Sequence, residues 1–209
     1  MAKQVGGILG PVRGKVSNVV GARWKETPYY RAYAIPANPR TEAQQNQRAK
    51  MVECVWVAKA LLGSVINPYW DPFSKNMAGY NRFCQVNLKL VGSPPNHLLM
   101  LVSEGKLEPT YEIETATYDS GLSYVSIAWG TSCMGNGLPT DLLIACILDV
   151  EHKVAFFNLT GIARSVGSTT VTVGTERSRT YLKAFVSFYR SAGSTLMVSP
   201  SKSLQVGAP

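Results

Sequence analysis

Between Arg23 and Arg31 the chain interleaves cations with aromatic rings, Arg23, Lys25 and Arg31 standing among Trp24, Tyr29 and Tyr30. Guanidinium and ammonium groups grip phosphates and flat rings stack on bases, so this mixture suits nucleic acid. Arg13 and Lys15 precede it, and Arg40 and Arg48 follow. The candidate contact residues are therefore Arg13, Lys15, Arg23, Trp24, Lys25, Tyr30, Arg31, Arg40 and Arg48. Two other readings fit the same residues. A strand pair must bury one face somewhere, which would turn the rings inward and leave the cations in water. Alternatively, a glycine-rich arm that is unstable alone adds its strands to a neighbouring subunit's sheet, its charge then lining an inner, nucleic-acid-facing surface.

Reactive constellations are absent elsewhere. Gly14-Lys15 resembles the end of a phosphate-binding loop, but Leu9 stands where that loop needs a glycine and Val16 where it needs a magnesium-binding hydroxyl. His97 and His152 lack a metal-ligand partner at useful spacing and read as solvated loop residues. The pairs Glu112/Glu114 and Asp149/Glu151 read as solvated edges before acid-base dyads. Cys54, Cys84, Cys133 and Cys146 are spread singly, with apolar neighbours at Cys54 and Cys146, a pattern of inert core thiols and of a reducing compartment. Trp129, at the end of an apolar strand, reads as a core anchor. These residues predict a protein that is not an enzyme and that carries no catalytic residue, metal or cofactor.

Charge separates the chain into two parts. Residues 1–50 hold nine basic and two acidic side chains, a net of +7, while the whole chain is only +8. The basicity thus belongs to one segment and implies a localised anionic partner. A mean hydropathy near zero and 45% hydrophobic residues predict a packed fold. Neither a signal-peptide core at the N-terminus nor a bilayer-spanning apolar run is present, so no membrane partner is expected.

Three segments should position these groups. Residues 1–40 mix glycine with β-formers and predict an extended basic arm, with Lys25 to Pro28 as a turn. Residues 41–92 predict a helical hairpin. Thr41 and Gln44 form a capping-box pattern, Met51, Val55, Ala58, Leu62 and Val65 give one apolar face, and a second helix starts at Asp71-Pro72 with Phe73, Met77, Tyr80 and Cys84 at helical spacing. After Pro95 the period falls to two. Runs at Leu98–Val102, Tyr111–Thr117, Leu122–Trp129, Leu142–Asp149, Lys153–Leu159, Thr169–Val173, Tyr181–Tyr189 and Thr195–Val198 predict an antiparallel immunoglobulin-like β-sandwich over residues 96–204. The fold class is α+β.

The pattern Gly7-Ile8-Leu9-Gly10, Gly14-Lys15-Val16, Val20-Gly21, Trp24-Lys25, Arg31, Pro36 and Thr41-x-x-Gln44-x-x-Gln47-Arg48 resembles an uncharacterised domain-of-unknown-function family of Bacteroidota and their phages. Asn76 to Phe83, Tyr181 to Tyr189 and Ser199 extend the resemblance over nearly the whole chain. It implies a non-enzymatic protein with an arm, a helical pair and an immunoglobulin-like domain, similar in some members to phage structural proteins. The expected function is that of a virion structural protein, a capsid-decoration, collar or tail subunit. Such a subunit would assemble in host cytoplasm as a homo-oligomer, with copies of itself and other virion proteins as partners. A nucleic-acid-binding protein that uses the basic arm is the alternative.

Overall fold

The computed structural model describes the chain apart from residues 1–2, 5–9, 36, 39, 120, 175–178, 194 and 208–209. It divides into two compact units, Met1–Thr41 and Glu42–Pro209.

The first unit is an antiparallel meander of β1 (Lys3–Gln4), β2 (Val12–Val16), β3 (Val19–Trp24) and β4 (Thr27–Ala32), hydrogen-bonded in that order. Short turns at Ser17-Asn18 and Lys25-Glu26 connect the last three strands. Tight hairpins thus join β2 to β3 and β3 to β4, and the sequence pattern shows only the second of these turns. Gly14 and Gly21 sit opposite each other across β2 and β3.

In the second unit, α1 (Glu42–Leu61) continues through a π turn at Leu62–Ile66 into a short α2 (Asn67–Tyr69). Its buried side is Cys54, Val57, Ala58, Leu61 and Val65. The predicted stripe is corrected by this: Met51 and Leu62 are exposed, because α1 is apolar on two sides and the sheet takes the other one. The second helix also begins later than Asp71. Asp71–Phe73 forms one 3₁₀ turn, Asn76 adopts a left-handed φ of 60°, and α3 runs from Gly79 to Leu90. Asp71 still caps it, since its carboxylate accepts the Gly79 amide. Only glycine fits there, because a Cβ would meet the Asp71 backbone nitrogen at 2.7 Å.

The sandwich comprises β5 (Ile113–Asp119), β6 (Tyr124–Trp129), β7 (Leu142–Asp149), β8 (Val154–Asn158), β9 (Ser168–Thr172), β10 (Leu182–Ala192), β11 (Thr195–Val198) and β12 (Lys202–Gln205). One sheet is β5-β6-β9; the other is β11-β10-β7-β8, with β12 following β11 along the same side of β10. This division of successive hairpins between two sheets is the strand order of immunoglobulin-like sandwiches. Beyond β12 the chain crosses to the facing sheet, where the Gly207 amide donates to the Ala116 carbonyl at 2.8 Å.

Two cores share the larger sheet. On one face, Leu143, Ala145 and Ile147 of β7 meet Val125, Ile127 and Trp129 of β6. On the other, Ile144, Cys146 and Leu148 meet the helical layer through Leu61, Trp70 and Phe83. A strand covered on both sides reads as a continuous apolar run, which is why Leu142 to Leu148 shows no alternation. All four cysteines are free; burial pushes the Cys54 thiol up to about 11 and raises Cys84 and Cys146 as well.

Leu98–Val102 is not a strand. Side chains have captured its backbone: Asn87 accepts the Leu101 amide (2.7 Å) and donates to its carbonyl (3.1 Å), Ser201 accepts the Val102 amide (2.8 Å), and Trp70 Nε1 donates to the Val102 carbonyl (2.8 Å). His97, predicted to be solvated, is buried in this segment instead. It packs at a tilt against the Trp56 ring and hydrogen-bonds to Glu53 at 2.9 Å, and Glu53 also accepts the Trp56 indole. His152 does lie at the surface, bonded to Asp149.

At one end of the sandwich, loop amides wrap a carboxylate. Glu108 accepts the backbone N–H groups of Met134 (2.9 Å), Gly135 (2.8 Å) and Gly137 (3.0 Å) and the Tyr111 hydroxyl (2.9 Å). Those donors, the Met134 and Gly135 amides foremost, hold its pKa down to about 2. A lowered carboxylate pKa contributes stability that is present above the ordinary carboxylate range and is lost as pH falls through the lowered value. In an NMR acid titration, the Met134, Gly135 and Gly137 amide shifts should therefore stay in place through the ordinary range and move with a midpoint near 2. A midpoint at the ordinary glutamate value of 4.5 would mean the carboxylate is not held.

Candidate interaction surface

Three strands of the first unit carry most of the residues singled out in the sequence. Register puts Lys15, Val20 and Arg31 in one row, with Ala22 opposite Tyr29 and Trp24 opposite Thr27 on the same face. The other face carries Val16, Val19 and Ala32, then Gly21 opposite Tyr30 and Arg23 opposite Pro28. Thus Lys15, Trp24 and Arg31 share one side, while Arg23 and Tyr30 share the other. Lys25 occupies the hairpin turn with a left-handed φ of 52°. Arg40 lies in the connection after the sheet, and Arg48 belongs to α1 in the second unit.

Glycine governs how β2 meets β3. A Cβ on Gly21 would stand 1.9 Å from the Val12 carbonyl oxygen, so the backbone of β2 passes directly over this position. Tyr30 secures the crossing, its hydroxyl accepting the Val12 amide at 3.2 Å. The result is a cleft of about 240 Å³ onto which Arg13, Arg23 and Glu26 converge with Pro11 and Pro28.

Little of this unit is covered. Gly21 is its one buried residue among those described, and Trp24 is 71% and Tyr30 58% exposed. Val16, Val19, Tyr29, Tyr33 and Ile35 are exposed as well. Lys15 lies over the Tyr33 ring, 3.5 Å from its centroid, a cation–π contact. Among the described residues, Arg13, Arg23, Lys25 and Arg31 make no ion pair. Cations and rings therefore stand at the surface together, Arg13 and Arg23 beside Glu26 in the cleft but without an ion pair to it.

A family model matches residues 11–202. The chain belongs to DUF6266, a family of unknown function. No curated protein and no solved structure matches it. The family match begins at Pro11 and takes in β2 to β4, the helices and the sandwich as far as the first residue of β12, so these three basic strands are as much a part of the DUF6266 unit as the core is. Among the described residues, no group of three or more His, Cys, Asp or Glu side chains could hold a metal ion, and no helix is long and apolar enough to cross a membrane.

Proposed function

We propose that this DUF6266 protein is a non-enzymatic assembly subunit that oligomerises through its arm sheet and its sandwich. The observation that carries this reading is the arm itself. A small sheet needs a hydrophobic face packed against something to be stable in water, yet this one buries a single glycine among its described residues and leaves five large hydrophobic side chains at its surface, Val16, Val19, Trp24, Tyr29 and Tyr30. A neighbouring subunit is the surface that would cover them. The family resemblance to proteins of Bacteroidota and their phages supplies the setting: a virion component such as a capsid-decoration, collar or tail subunit, assembled in host cytoplasm with copies of itself and other virion proteins. Light scattering and negative-stain microscopy test it on the purified chain. Rings, tubes or particles that vanish when residues 1–40 are deleted are the expected result. A chain that stays monomeric at high concentration and never enters particles would sink the idea.

Nucleic acid binding is the second reading, favoured by the cations that stand without ion pairs among exposed rings. It expects DNA or RNA binding that weakens with salt and is lost with residues 1–40.

A further inference from the structure

We propose that a cavity in the second unit, beside the outer edge of β11, is a docking site for an extended peptide segment of a partner chain that carries a large apolar side chain next to a carboxylate. The cavity holds about 440 Å³ and is walled by Tyr69, Trp70, Phe73, Leu196 and Met197. Its walls are fixed before anything binds. Trp70 is tied to the Val102 carbonyl and packs edge-on against Phe83, and the Tyr69 ring lies 5.0 Å from that of Tyr189. Pre-formed apolar cavities with a few placed polar groups are the general form of a binding site.

Backbone geometry says what shape of ligand fits. The Leu107 amide donates to the Val198 carbonyl, so Val198 turns its hydrogen-bonding groups away from β10. Alternation along the strand gives Leu196, two residues earlier and opposite Ser191, the same outward direction. Its N–H and C=O have no partner among the described residues. The cavity thus borders an open position of the sheet edge at Leu196, and a segment paired there would aim alternate side chains to opposite faces, one of them into the cavity. A free edge of this kind pairs with an extended chain, which sets a peptide above a compact small molecule as the occupant.

Charge says what sequence it carries. The Arg82 guanidinium in the lining already meets Glu104 at 3.1 Å. That leaves Lys106, exposed and without an ion pair among the described residues, as the uncompensated cation of the lining. An acidic segment complements it and the basic arm of a second copy does not, so the occupant is a different, acidic chain.

The proposal draws on the assembly reading only for the existence of a partner; a chain that remains monomeric yet binds the peptide would sink that reading and keep this one. The probe is the blocked peptide acetyl-Asp-Val-Leu-Val-Asp-amide, titrated into the full-length protein with Trp fluorescence and amide NMR as readouts. Saturable binding should shift the Leu196 and Lys106 amides. Replacing the peptide's central residues with proline should abolish it, and Lys106→Glu should weaken it by about tenfold without changing the melting temperature. Equal binding of a Lys-flanked peptide, an undiminished affinity in Lys106→Glu, or filling of the cavity by decanoate while the peptide stays free would each overturn the assignment.

Discussion

Replacing Asp141 with alanine is expected to destabilise the second unit by about 3–5 kcal/mol, the cost of breaking a buried ion pair from one side. Asp141 and Arg164 are both fully buried, with their charged atoms 3.6 Å apart. Arg190 Nε donates to the same carboxylate at 2.6 Å, and the Leu138 amide does so at 2.8 Å. One carboxylate thus answers two arginines and a loop amide. Arg164 has few alternatives: its Nη2 donates to the Glu108 carbonyl at 2.5 Å, its guanidinium lies over Phe188, and its Nε has no partner. Removing the carboxylate leaves that guanidinium charged, enclosed by Phe188 and unable to reach water. Trp129 is affected too, because its indole donates to the Arg164 carbonyl at 2.9 Å from within the sandwich core. Urea denaturation monitored by Trp fluorescence measures the loss. A change below about 1 kcal/mol would place Asp141 among exposed pairs that contribute little, contrary to its burial. His152→Ala, at a half-exposed turn, is the control and should cost far less.

Reversing Arg13, Arg23 and Arg31 together to glutamate is expected to remove the salt dependence of any nucleic-acid binding. Four cations of the arm sheet, these three and Lys25, stand without ion pairs among the described residues. If all four displace counterions from a single strand, affinity should fall about fiftyfold between about 50 and about 200 mM salt. Fluorescence anisotropy with a short single-stranded oligonucleotide reads this directly. The reversed protein should bind weakly at every salt concentration, while Trp24→Ala should weaken binding without altering the slope, since stacking releases no counterions. A flat slope in the unmodified protein would rule out phosphate contact and leave protein partners for the arm. The substitutions are surface changes on β2, β3 and β4 and leave Gly21 and Tyr30, which hold the sheet together, in place.

What could be read from the residues themselves depended on whether local pattern or remote contact decides an element. The strands Leu142–Asp149 and Thr195–Val198 were legible to the residue, since long β-branched or apolar runs between turn signals admit few other structures. The edge strand Lys202–Gln205 was missed: short and polar, it exists because β10 offers it a ladder. For α1, two overlapping stripes both satisfy helical spacing, and which one faces the sheet is settled only in three dimensions. His97 was misread for a similar reason, as its burial comes from Glu53 and Trp56 on a helix far earlier in the chain. In the arm, composition revealed the mixture of cations and rings. It did not reveal their division between two faces, nor the cleft that Gly21 opens by admitting the Val12 backbone. The β11 cavity was invisible because its walls come from the helical layer, the segment around Lys106 and the last hairpin.

The central strand β7 has a consequence for how the protein must be made. Leu142 to Leu148 contains no charge, proline or glycine, a composition that self-associates into stacked strands when left uncovered. β8 can join it soon after it leaves the ribosome, but that hairpin protects only one edge. The other edge waits for β10, which begins at Leu182, after β8, β9 and their loops have been synthesised. At about 5–20 residues per second, the strand spends seconds as a sticky nascent segment. During that interval its upper face can be shielded by the helical layer, already complete by Leu90. An N-terminal position for the helices thus allows them to act as a built-in chaperone, receiving Ile144, Cys146 and Leu148 before the rest of the sheet exists.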